Sequence, residues 1–125
     1  VSLAAPTLHP AADVRAGLVT LLNGLGSLTG YPVAPDQATA GAAWPKWVQS
    51  TYTGHLCDTR EDTWEVYAVL PADYLATTVD QGDQLRDELV PELATYGSVT
   101  YAEPVQIQFN DRQAMPGIRV RMVTS

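Results

Sequence analysis

One cysteine, Cys57, stands among 125 residues, so no disulfide can form within the chain and a secreted, disulfide-stapled scaffold is excluded. Histidine is nearly as scarce, with only His9 and His55. A Ser-His-Asp arrangement has little to draw on. A structural zinc site built from Cys and His wants about four such ligands, and this chain has three. No run approaches the roughly 18 apolar residues of a membrane-spanning helix, so no membrane span is expected. The first ten residues lack the basic start and apolar core of a secretory leader, and a soluble protein made in the cytoplasm is expected. Cations are few as well: 7 Lys and Arg against 14 Asp and Glu, a formal net charge of −7. Such a surface repels phosphate and disfavours general DNA or RNA binding. It does not exclude a surface past which DNA slides, where tight binding would stall the strand.

What is present describes one folded domain. Hydrophobic residues make up 46 % and charged residues 17 % of the chain, the latter low against a usual value of about 25 %. Much of the surface is therefore neutral or apolar, which suits a protein partly covered by partners.

Residues 10–25 read as a helix, with Val14, Leu18, Leu21, Leu22 and Leu25 in one stripe, Pro10 in the first turn and Gly24, Gly26 and Gly30 as stops. Residues 26–46 hold Gly30, Pro32, Pro35, Gly41 and Pro45 and read as a long connection, either an arm or loop against a neighbour or a plain extended linker on the surface. A strand is expected over 47–53 and a polar connection over 54–62. A second strand follows over 63–70, with Trp64, Val66, Ala68 and Leu70 on one face and Thr63, Glu65, Tyr67 and Val69 on the other. Residues 77–96 read as a second helix, capped by Thr77 or Thr78, striped by Val79, Leu85, Leu89, Leu93 and Tyr96, kinked by Pro91 and stopped by Gly97. Strands over 98–109 and 117–123 flank a turn at 110–116, and Pro104 marks a bulge or an edge position. The expected class is α+β in the order α-β-β-α-β-β. It has one mostly antiparallel four-stranded sheet, both helices on one face and a long loop after the first helix.

Three clusters invite a chemical reading. Gly24, Gly26 and Gly30 resemble a dinucleotide loop, but the third glycine comes one residue late and the segment follows a helix instead of a strand, so no cofactor is expected. His55, Cys57 and Asp58 would share a short segment in which 55 and 57 face one way, but the spacing fits no common metal or nucleophile pattern. Asp80, Asp83, Asp87 and Glu88 read as a solvated helix face. No catalytic, cofactor or metal residues are assigned, and the protein is expected not to be an enzyme. The most informative polar set is Arg119 and Arg121 on one strand face, with Gln106 and Gln108 as expected neighbours, read as a contact face for carboxylates of another subunit. Further candidate contact residues are Asp58, Arg60, Glu61 and Asp62 at a hairpin tip and Asp111 and Arg112 in the last turn. Trp47 is expected in the core, whereas Trp44 suits either the core or an interface.

The layout resembles the tail terminator proteins of long-tailed phages that infect actinobacteria. The resemblance is carried by the opening helix with Val14, Leu18 and Leu21, by Gly30-Tyr31-Pro32, and by Ala43-Trp44-Pro45. Thr63-Trp64-Glu65-Val66 leading to Val69-Leu70-Pro71, the acidic second helix, Val99 to Val105 and the closing Ile118-Arg119-Val120 continue it. It implies a homo-oligomeric ring, a hexamer, at the head-proximal end of the virion tail. Such a ring stops tail tube polymerisation and docks the head-tail connector or head-closure protein, while DNA passes through the hole without specific binding. The long loop and Pro91 depart from that pattern. Two other readings stand beside it: another neck subunit, of the head-closure or tail-completion type, and a small α/β enzyme or ligand-binding domain using His55 and Cys57.

Overall fold

Leucines spaced three and four apart leave helix α1 (Ala11–Asn23) no choice of face: Val14, Leu18 and Leu22 are buried. The computed structural model describes residues 11–25, 28–36, 40–53, 59–70, 75–110 and 113–124. After α1 come β1 (Thr29–Gly30), β2 (Ala42–Thr53), β3 (Thr59–Val69), α2 (Leu75–Ala94), β4 (Ser98–Asn110) and β5 (Gln113–Thr124). The sheet runs β1-β2-β3-β5-β4. Only the two-residue β1 pairs parallel; every other pairing is antiparallel. The α+β class and the one-sided helical cover are as expected, with five strands in place of four.

Alternation in β3 builds the main core. Trp64, Val66 and Ala68 sit opposite Met122, Val120 and Ile118 of β5, so matched apolar pairs line up on the face that the helices cover. Leu85, Leu89 and Leu93 of α2 close over them beside α1. Leu18, Leu22, Leu89 and Leu93 are fully buried, each worth about 1.5–3 kcal/mol relative to exposure. Trp64 is inaccessible to solvent, and its indole N–H donates to Thr124 Oγ1 at 3.2 Å.

The side chains of the other face form a second, smaller cluster. Ala42, Trp44, Val69 and Ile107 are buried there, with Tyr31, Tyr67, Val105, Phe109 and Met115 packed against them. Trp44 stacks on Tyr67 with centroids 5.7 Å apart at 14° and meets Phe109 edge-on at 5.7 Å and 67°. Trp44 and Phe109 belong to β2 and β4, with β3 and β5 between them in the sheet order. Their contact therefore requires the sheet to curl around this second cluster. Register shifts at Trp47/Gln49, Val99/Tyr101 and Gln108/Asn110 supply extra bend.

Several boundaries differ from the sequence expectation. The long connection 26–46 contains β1 and the start of β2. Its described part packs on its own chain: Leu28 is buried, Tyr31 N–H bonds Ala43 O at 2.8 Å, and Arg15 donates to Pro32 O at 2.6 Å. Gly41, at φ 79°, turns the chain into β2. The polar connection 54–62 is shorter than expected, because β3 begins at Thr59. The last strand starts at Gln113, which shortens the expected turn 110–116. Thr77 and Thr78 lie inside α2 and do not cap it, and the helix continues through Pro91 to Ala94. Gly97 stops it as expected, its N–H bonding Leu93 O at 3.1 Å. Pro104 lies on an edge strand, as expected, paired with Ile118.

Candidate functional site

On the sheet face away from the helices, β3, β5 and β4 bring six polar or aromatic side chains together. Register places Arg119 beside Tyr67 and Glu103, and Arg121 beside Glu65 and Tyr101. Arg121 Nη2 donates to Glu65 Oε2 at 2.9 Å, Tyr67 Oη donates to Glu65 Oε1 at 3.0 Å, and Arg119 Nη2 pairs with Glu103 Oε1. Burial pushes the Glu65 carboxyl up, but the hydrogen bonds from Tyr67 and Arg121 and the charges of both arginines outweigh it. The group stays below the ordinary glutamate value and is ionised at neutral pH. Burial, aided by the adjacent Glu65 carboxylate, raises the Tyr67 hydroxyl. The Nε atoms of Arg119 and Arg121 are buried without a hydrogen-bond partner. The Arg121 guanidinium lies 5.5 Å from the Tyr101 ring centre, a cation–π contact that offsets part of that cost.

The sequence pattern placed Arg119 and Arg121 together correctly but misassigned their neighbours. Gln106 pairs with Pro116 and Gln108 with Ala114, whereas Glu103 and Tyr101 stand opposite the arginines. The shift has a simple cause: a hairpin turn shorter than expected moves the register along the strand. Gln106 and Gln108 nonetheless border a cleft of about 790 Å³ that Arg119 also lines. Consecutive residues of two strands border it, 44–47 of β2 and 105–108 of edge strand β4, with Tyr67 and Arg119 between them. Arg15, Lys46 and Arg119 are its cations, and its described lining contains no carboxylate. Arg15 also donates to Pro45 O at 3.1 Å and stands 5.3 Å from the Trp64 ring centre, which fixes α1 to the β2 edge.

The remaining candidates are scattered. Trp44 is buried in the second cluster, while Trp47, expected in the core, is 51 % exposed on β2, beyond the pairing with β1. Arg60, Glu61 and Asp62 are strand residues of β3 and not a loop tip. Asp62 is buried, accepts from Ser50 Oγ at 2.5 Å and pairs with Arg60 Nε at 3.2 Å, so it braces the β2–β3 hairpin. Glu61 is exposed. Asp58, Asp111, Arg112, His55 and Cys57 lie outside the described residues. Glu65, Glu103, Tyr67 and Lys46 escaped sequence reasoning as site residues, because only strand register brings them to the arginines. Comparison with family models and with curated proteins finds no match to this chain.

Proposed function

We propose that this protein is a structural virion subunit that forms a ring at the head-proximal end of a phage tail, where it ends tube polymerisation and joins the tail to the head connector. The observation that carries the reading is where the exposed aromatic side chains fall. Trp47 and Tyr52 lie on the part of β2 that runs beyond its short pairing with β1, and Tyr101 lies on the edge strand β4, while Tyr96 follows α2; the sheet is covered by helices on one face only. Bare edges and large exposed rings are liabilities for an isolated protein and assets for one covered by neighbours. The order of elements and their textures resemble those of tail terminators, which is what favours this particular assembly. An acidic balance of −7 suits a hole through which DNA passes.

The test is functional and direct. Polymerising tail tube protein is mixed with this chain, and tube lengths and ends are examined by electron microscopy. Short tubes bearing a ring of density at one end are the expected result. Tubes that grow to the same length with and without the protein would overturn the reading.

A further inference from the structure

We infer that copies of this chain associate head to tail, the carboxylate-bearing outer face of α2 in one copy seating on the cation-lined cleft between β2 and β4 of the next. This deepens, and rests on, the proposed ring-forming role. In a chain of net charge −7, the cleft lining described above holds three cations and no carboxylate. Arg119 is already paired with Glu103, and Arg15 is held by two backbone carbonyls. Lys46 is exposed and has no ion pair or side-chain hydrogen bond among the described residues. Its ammonium is therefore the group at this cleft with charge to spare. Trp44, Trp47 and Tyr67 form apolar walls beside it.

The complementary surface is α2, which carries Asp80, Asp83, Asp87, Glu88 and Glu92 against one base, Arg86. Asp83, Asp87, Glu88 and Glu92 are exposed. Because α2 packs over the opposite face of the sheet, no copy can fill its own cleft with its own helix. A two-fold contact could pair α2 with the cleft only if both lay on one patch, and they lie on opposite faces of the sheet; pairing cleft with cleft would leave the Lys46 charge without a partner. A heterologous contact satisfies both surfaces and, where the rotation closes, yields a ring. Pro104 on the edge strand β4 and Pro45 on β2, just beyond its pairing with β1, lack backbone donors and disfavour joining copies by simple sheet extension.

Lys46 is the single lysine of the chain, which makes the contact addressable by chemistry. Copies labelled with heavy and light nitrogen are mixed at low salt and treated with a zero-length carbodiimide cross-linker. Isotopically mixed links joining Lys46 to Asp83, Asp87, Glu88 or Glu92 are expected. Self-association should weaken at least fivefold between 50 and 300 mM salt, roughly as screening of exposed charges requires. Lys46→Gln should weaken it about tenfold while leaving the unfolding midpoint unchanged. Lys46→Glu combined with Asp87→Lys should recover part of the loss seen in Lys46→Glu alone. Mixed links from Lys46 to other segments, or a chain that stays monomeric at low salt, would overturn the contact. Association through other surfaces with tube capping intact leaves the terminator role standing without this contact. The predicted links without tube capping would leave the contact standing without that role.

Discussion

Glu65 shows how one residue couples the fold to its uncovered face. Its side chain is only 8 % exposed and lies between two arginines that are themselves about one-third exposed. Replacing it by glutamine removes the negative charge and leaves Arg119 and Arg121 facing each other across a half-dry surface. Fully buried pairs lose about 3–5 kcal/mol when one partner is removed; solvent around the arginines reduces the expectation for Glu65→Gln to about 2 kcal/mol. The urea midpoint at pH 7 measures it. The sign of the pH effect follows from the carboxyl lying below its ordinary value in the folded chain. Its contribution is complete above the unfolded-chain value of about 4.3 and is lost as pH falls through the lower folded value. The gap between wild type and Glu65→Gln should therefore hold from pH 7 to about pH 5 and shrink below about pH 4. A gap unchanged at pH 3 would show that the ion pairs do not supply it.

Elements fit one another here with little slack, most visibly where β5 pairs with β3. Gly117 lies opposite Val69 and beside the Ala68 carbonyl, and a Cβ added there would come within 2.5 Å of that oxygen and would also meet Ile107 Cδ1. The carbonyl belongs to a central strand and cannot step aside as a flexible side chain would. Gly117→Ala should cost about 2 kcal/mol, within the usual range for overpacking, and lower the thermal midpoint. Adding Ile107→Val should recover less than half, because the backbone contact remains; full recovery would show that Ile107 alone sets the limit. The same pairing shows what the sequence made legible. Alternation in residues 63–70 assigned both faces of β3 correctly, since period-2 patterning records burial directly. The start of β2 was not legible. Ala42 to Pro45 has weak strand propensity, and pairing with residues 66–68 of β3 overrides it. The site was half legible for a related reason. Arg119 and Arg121 announce themselves by spacing, but Glu65 reaches Arg121 from 56 residues away, a distance that only register bridges.

At the scale of the whole molecule, charge separates two ways in which DNA and a ring protein can coexist. A protein that grips DNA gathers cations along one track, and its affinity falls steeply with salt because counterions are released. Here cations are outnumbered two to one by acids. Arg60, Arg86, Arg119 and Arg121 are each engaged by carboxylates of their own chain. Their charge is largely spent internally, and association along the proposed contact would engage Lys46 as well. The assembled surface would then keep no unpaired lysine, so assembly should create no basic track and no affinity for duplex DNA. Fluorescence anisotropy with a labelled duplex checks this. No binding is expected at 50 mM salt with protein up to tens of micromolar, for either the free or the assembled chain. Micromolar binding that weakens tenfold or more on raising the salt to 200 mM would mean that a basic track forms on assembly. That result would count against a hole through which DNA passes freely, because a strand held by several phosphate contacts at each subunit would have to break them all to move.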